Sequence, residues 1–74
     1  MGVQLLTRRG CHLCEQALAA LNQLGIAPEI IDVEGDAQLL QAYDLRLPVV
    51  LRDGLVVAEG RIDLSRLRQI EPSL

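Results

Sequence analysis

Aromatic residues are almost absent from this sequence, and lysine is absent altogether. Tyr43 is the only aromatic residue among 74, so Leu, Ile, Val and Ala must fill the core of any fold that the chain adopts. All seven cationic residues are arginines, scattered along a chain of formal net charge −3, and this pattern lacks the clustered basic face of a nucleic-acid-binding domain. No apolar run approaches the roughly 20 residues of a membrane-spanning helix. We therefore expect neither a nucleic acid nor a membrane as a partner.

The chain also lacks the pattern of a secretory signal. Such a signal places basic residues before an apolar segment of about 7–15 residues, whereas here the short apolar run 3–6 comes before Arg8 and Arg9. The length suits one small domain spanning residues 1–74. Half of the residues are hydrophobic, which argues against intrinsic disorder. We expect a cytoplasmic, monomeric protein.

Short stretches of strand and helix character alternate along the chain. Strand-like runs cover residues 3–7, 29–33, 49–52 and 55–59, and helical patterns cover about 12–24, 37–43 and 64–70. Asp53 and Gly54 form a hairpin turn signal, and Asp36 is placed to cap the second helix. The order β-α-β-α-β-β-α predicts an α/β fold with a mixed four-stranded sheet and helices on both of its faces. Its first βαβ unit should be parallel.

The two cysteines are separated by two residues, in the motif Cys-His-Leu-Cys. A bridge between Cys11 and Cys14 closes too small a loop to constrain the unfolded chain, and a cytosolic pair at this spacing indicates redox chemistry or metal binding. Cys11 falls at the predicted start of the first helix, where unpaired N–H groups and the helix dipole favour a thiolate. Arg8 and Arg9 add positive charge nearby. Cys14 lies one turn further along, so the pattern predicts an exposed attacking thiol and a sheltered resolving thiol.

Other interpretations use the same residues. Two thiolates, with His12 as a third ligand, suit a soft metal ion or part of an iron–sulfur cluster shared between chains. Free cysteines also pack as small hydrophobes, which would leave a redox-inactive binding domain. His12 itself has three interpretations: an imidazolium that favours the Cys11 thiolate, a metal ligand, or an exposed residue at the start of the helix. We favour the redox interpretation and assign no metal ligand.

Three segments resemble those of the glutaredoxins. Residues 7–14 (Thr-Arg-Arg-Gly-Cys-His-Leu-Cys) resemble the active-site segment, and residues 47–50 (Leu-Pro-Val-Val) are similar to the segment that carries a cis proline. Residues 53–54 and 59–64 are similar to the hairpin and the Gly-Gly-x-x-Asp-Leu segment that closes the glutathione site. The resemblance spans nearly the whole chain and is strongest to short glutaredoxin-like proteins with a Cys-His-Leu-Cys motif. It implies a thioredoxin-like fold and thiol–disulfide oxidoreductase activity.

The resemblance also implies a role for each matching position. Cys11 would be the nucleophile and Cys14 the resolving thiol. Pro48, in the cis form, would lie beside the cysteines, and Leu47 would offer its backbone N–H and C=O to an extended substrate. The other substrate-binding positions that it implies are Arg8, His12, Leu13, Arg46, Gly60 and Asp63. The two arginines would meet glutathione carboxylates through charge-assisted hydrogen bonds.

Glutathione is the co-substrate that the resemblance implies, and no tightly bound cofactor is expected. The substrate would be a disulfide-containing protein or a glutathione mixed disulfide, with glutathione or a reductase as the electron donor. Two positions depart from the family pattern. His12-Leu13 replaces Pro-Tyr, and Glu59 replaces the first glycine of the Gly-Gly pair. These changes remove an aromatic contact and add a negative charge beside an anionic ligand, but they leave thiol–disulfide exchange intact.

Overall fold

One mixed four-stranded sheet organises residues 2–74, the part of the chain that the computed structural model describes; Met1 of the predicted domain lies outside it. The strands are β1 (Val3–Thr7), β2 (Glu29–Asp32), β3 (Val49–Arg52) and β4 (Leu55–Glu59), and the helices are α1 (His12–Gln23), α2 (Ala37–Tyr43) and α3 (Leu64–Ile70). Short 3-10 turns follow β2 at Val33–Gly35 and α3 at Glu71–Ser73. The predicted element order is confirmed, and only two ends differ, each by one residue. Val33, predicted as the last residue of β2, belongs to the first 3-10 turn, and α1 ends at Gln23 rather than at Leu24.

The strand order in the sheet is β2-β1-β3-β4. β1 and β2 are parallel, as the βαβ pattern predicts, whereas β3 is antiparallel to both of its neighbours. In this register Thr7 pairs with Asp32, and Val49 pairs with Glu59. The carboxyl ends of β1, β2 and β4 therefore meet the amino end of β3 at one end of the sheet. We call this the upper end; it is where the first cysteine, the proline and the glycine after β4 gather.

Helices cover both faces of the sheet, as predicted, with two helices on one face and one on the other. On one face α1 and α3 pack on the larger core cluster, whose buried members are Leu5, Ala17, Ala20, Leu21, Val50, Ala58, Ile62 and Leu67. On the other face α2 covers the smaller core cluster of Leu6, Val33, Val49 and Leu51. Because successive strand residues point to opposite faces, the neighbours Leu5 and Leu6 enter different clusters. No helix within residues 2–74 has the length and apolarity that crossing a bilayer requires.

Side-chain caps and one tight turn fix the element ends. Asp36 accepts hydrogen bonds from the backbone N–H groups of Gln38 and Leu39 at the start of α2, which confirms its predicted capping role. Asp53 and Gly54 both have positive φ angles, 53° and 84°, as a two-residue hairpin turn requires. These local contacts fix the start of α2 and the turn between β3 and β4. The loops that carry the site lie at the upper end of the sheet.

Candidate active site

Cys11 and Cys14 form a disulfide at the amino end of α1. Cys11 is the N-cap residue with extended backbone angles, and its Sγ accepts a hydrogen bond from the backbone N–H of Cys14 at 3.1 Å. Their Cα atoms are 5.2 Å apart. Cys14 is buried at 3% exposure, whereas Cys11 is half-buried. The predicted contrast between an accessible and a sheltered sulfur is present in the structure.

The loop between β1 and α1 brings Cys11 to the upper end of the sheet. β1 ends at Thr7, and the chain then turns through residues 8–10 before α1 starts at His12. Gly10 has a φ of +78°, in the left-handed region that glycine enters without the steric cost of a Cβ atom. This turn allows the first N–H groups of α1 to lie next to Cys11 Sγ. Helix polarity and a direct N–H donor thus act on the same sulfur.

Pro48 lies at the same end of the sheet, in the loop that enters β3. The Leu47–Pro48 peptide bond is cis, and Pro48 is fully buried. Leu6 of β1 pairs with Val49, so Pro48 occupies the next position, level with the end of β1. The backbone N–H of Gly60 donates to the carbonyl oxygen of Pro48 at 2.9 Å. The predicted segments 47–50 and 59–64 are therefore joined directly to each other.

Other predicted site residues make contacts within the fold. Asp63 caps α3, because its Oδ1 accepts a hydrogen bond from the N–H of Arg66 at 2.8 Å. The Gly60 N–H also lies 3.2 Å from the carbonyl oxygen of Arg46. Leu47 is partly buried and packs against the smaller core cluster.

Each arginine predicted to bind a carboxylate is paired with a carboxylate of its own chain. Arg8 donates to Asp44 and lies 3.8 Å from Glu34. Arg46 donates from Nε and Nη2 to the same Oε2 of Glu59, at 3.1 and 2.5 Å. The hydrogen bond from Arg46 lowers the pKa of Glu59, and the same bond raises the pKa of Arg46.

Tyr43 supports the second of these pairs. Its ring lies under the Arg46 guanidinium, with 4.8 Å between Cζ and the ring centroid, a cation–π distance. Arg46 is therefore held from two sides, by a carboxylate and by an aromatic face. Arg8 and Arg46 therefore each have a carboxylate partner within the chain.

His12 stands apart from the two sulfurs. Its side chain is 93% exposed, and Nδ1 lies 3.5 Å from Glu15 Oε2 in the next turn. Within residues 2–74 no three or more His, Cys, Asp or Glu side chains are grouped so as to hold a metal ion. Of the three interpretations of His12, the structure matches the exposed residue at the helix start. Leu13, its neighbour, is partly buried.

An open groove of about 220 Å³ runs along one side of the disulfide. Both cysteines line it, together with Arg8, Arg9, Glu15, Leu18 and Ile30. The predicted residues Pro48, Gly60 and Asp63 do not line this groove. The cysteines are thus flanked by the loop segments at the upper end and, separately, by a groove between α1 and β2.

The fold and this cysteine pair agree with a family comparison. Residues 2–70 match the model described as "Glutaredoxin-like domain (DUF836)". The chain belongs to this glutaredoxin-like family. The resemblance inferred from three short segments is therefore confirmed over nearly the whole length.

Relatives of this glutaredoxin-like chain are found among both curated proteins and solved structures. The uncharacterized protein Rv0508 of Mycobacterium tuberculosis is 39% identical over 75 residues, covering 89% of this chain and 77% of the relative. The X-ray structure of XcR50 from X. campestris has 35% identity and a TM-score of 0.85, covering 97% of both chains. The thioredoxin-like protein BC3987 has 33% identity and a TM-score of 0.69, covering 92% of this chain and 97% of its own. The predicted thioredoxin-like fold is confirmed.

Sequence reasoning missed several residues that shape this glutaredoxin-like site. Asp44 and Glu34 form ion pairs with the Arg8 guanidinium. They are 36 and 26 positions away from Arg8 in sequence, so no local pattern links them to it. Ile30 was expected only as a strand residue. Its exposure follows from the position of β2 at the edge of the sheet, which the structure shows and the sequence pattern does not.

Proposed function

We propose that this chain is a thiol–disulfide oxidoreductase that uses Cys11 and Cys14 to reduce disulfides of protein substrates. One observation carries the proposal: the pair is close enough to form a disulfide at the N-terminus of α1, with Cys11 Sγ accepting a backbone N–H. Such a donor stabilises a thiolate more than a thiol. The thiolate is the form that attacks a disulfide.

The reaction begins with the reduced pair. Cys11 thiolate attacks one sulfur of the substrate disulfide, a bond forms between the two sulfurs, and the second substrate sulfur leaves as a thiolate that takes a proton from water. Cys14 then loses its proton and attacks Cys11 Sγ. The Cys11–Cys14 bond forms, and the first substrate sulfur leaves and is protonated. Two electrons pass to the substrate, and the pair ends in the disulfide form.

An external thiol returns the pair to the reduced form. The donor attacks Cys11 Sγ, because Cys14 is buried at 3% exposure and Cys11 is the accessible sulfur. We assign this role to glutathione or to a protein reductase, with glutathione as a co-substrate rather than a bound cofactor. The cytoplasm, where low-molecular-weight thiols keep dithiols reduced, suits this cycle. We propose that the chain acts there as a monomer.

An equilibrium titration tests the proposal. The protein is incubated in glutathione redox buffers, and the fraction of Cys11 that reacts with an alkylating reagent is measured by mass spectrometry. A single two-electron transition is expected, within the roughly −270 to −120 mV range of thioredoxin-fold dithiols. The absence of any transition would overturn the proposal. Native mass spectrometry of the same sample gives an independent result, since a stoichiometric metal on the cysteines would replace the redox function with a metal-binding one.

A further inference from the structure

The groove beside the disulfide exposes an aliphatic surface. Ile30 lies on the edge strand β2 and is 49% exposed. It pairs in parallel register with Leu5, so its side chain points to the same face of the sheet as α1. There it meets Leu18 of α1 across the groove that contains Cys11 and Cys14. A half-exposed isoleucine next to a reactive sulfur gives an apolar contact to whatever is attached to that sulfur.

Arg9 is the arginine of the groove that makes no ion pair within residues 2–74. Its side chain is exposed and lines the groove. Arg8, by contrast, is paired with Asp44 and Glu34. Glu15 also lines the groove and carries the opposite charge. Arg9 therefore offers an unpaired guanidinium to a carboxylate beside the aliphatic wall.

We propose that this groove binds the residues that flank the reactive cysteine of a polypeptide substrate, with an aliphatic side chain against Ile30 and Leu18 and a carboxylate near Arg9. The inference rests on the proposed function and names its substrate class. Glutathione fits this surface poorly, because a γ-Glu-Cys-Gly tripeptide has no aliphatic side chain to cover Ile30. Arg8 and Arg46, to which the resemblance assigns its carboxylates, are paired with Asp44 and Glu59 of the chain itself.

Two synthetic peptides test the groove. Each contains one cysteine in a mixed disulfide with 2-mercaptoethanol; in the first peptide Leu and Asp flank the cysteine, and in the second Ser and Asn do. The ratio of kcat/KM for the two peptides is the readout, because a general folding defect lowers both values and leaves the ratio unchanged. We expect the wild-type protein to prefer the first peptide about tenfold, from one partly buried aliphatic side chain and one surface charge pair.

Matched variants assign the preference to the groove. Ile30→Ser should reduce the ratio to about threefold, since the charge contact remains. Val56→Ser is its control, because Val56 has a similar exposure, 41%, on the opposite edge strand β4; this variant should keep the wild-type ratio. Arg9→Gln should reduce the ratio about threefold and remove its dependence on salt. Its control, Arg68→Gln on α3, should leave the ratio unchanged.

The outcomes separate the groove from the redox chemistry. A wild-type ratio near one, or a ratio that Ile30→Ser and Arg9→Gln do not alter, overturns the groove and leaves the oxidoreductase function in place. Faster reduction of glutathione disulfide than of the first peptide overturns it as well. If the wild-type protein reduces neither of the two peptides nor bis(2-hydroxyethyl) disulfide, the proposed function itself is overturned.

Discussion

The backbone N–H of Cys14 donates a hydrogen bond to the Sγ of Cys11 across 3.1 Å. In the proposed mechanism, the resolving residue therefore also helps to activate the attacking residue. This hydrogen bond belongs to the backbone and survives replacement of the Cys14 side chain. Changes at the two positions should therefore have different consequences, although the cysteines are only three residues apart in sequence.

The first prediction concerns these two side chains. Cys11→Ser should abolish disulfide reduction, because no thiolate remains at the helix N-terminus. Cys14→Ser should still attack and then accumulate a mixed disulfide with the substrate, since the second sulfur is missing. Mass spectrometry of each variant after incubation with a peptide disulfide measures the trapped adduct. Equal, near-normal turnover in both variants would contradict the mechanism.

The second prediction tests whether Asp63 stabilises the fold through its capping hydrogen bond or through its charge. Asp63→Ala should lower the free energy of unfolding by about 1 kcal/mol, because the Arg66 N–H at the start of α3 loses its acceptor. Asp63→Asn should retain nearly all of this stability, since asparagine caps as well as aspartate does. Urea denaturation followed by circular dichroism measures both. If the two variants lose the same stability, the charge of Asp63 rather than its capping hydrogen bond is what matters.

The third prediction is a pH dependence from the Arg46–Glu59 pair. The pKa of Glu59 is lowered in the folded state, mainly by the hydrogen bond from Arg46, so the pair contributes stability above the ordinary glutamate range. That contribution is lost as the pH falls through the folded pKa. The pKa of Arg46 is raised, so its side of the pair is lost only in strong alkali.

A comparison of the wild-type protein with Glu59→Gln measures this effect. The difference between their urea midpoints should be present at about pH 7 and should shrink as the pH falls through the lowered folded-state pKa of Glu59, because protonation removes the ion pair. Because the other carboxyl groups titrate equally in both proteins, their contributions cancel in the difference between the two urea midpoints. A difference that grows on acidification would contradict the assigned direction.

The fourth prediction contrasts two leucines. Leu67 of α3 is fully buried in the larger core cluster, so Leu67→Ala should cost about 2–5 kcal/mol of unfolding free energy through lost burial and a cavity. Leu45 follows α2 and is 97% exposed, so Leu45→Ala should change stability by less than about 0.5 kcal/mol. Chemical denaturation of both variants under the same conditions measures the difference.

Much of the fold was predictable because its signals are local. The motif spacing placed Cys11 at the start of α1, Asp53 and Gly54 marked the hairpin, and Asp36 capped α2 as expected. The end of β2 was predicted one residue too far, because Val33 is apolar and strand-like, yet it packs into the smaller core cluster from a 3-10 turn.

The surroundings of the cysteines were less predictable, since they depend on contacts between distant residues. Arg46 and Glu59 were each singled out from the sequence, but as separate features beside a ligand. Their direct pairing follows from the antiparallel hairpin that brings the end of β4 next to the entry of β3. The groove at Ile30 likewise depends on which strand lies at the edge of the sheet, which composition and periodicity do not determine.

The unequal covering of the sheet has a consequence for local opening. α2 has no fully buried residue, whereas α1 alone contributes four, so less apolar surface resists its detachment. Amide protons of α2 should therefore exchange with solvent well before those of α1. Transient unfolding of α2 would separate Asp44 from Arg8 and Tyr43 from Arg46, whereas Glu59 on β4 and the disulfide at the start of α1 would stay in place.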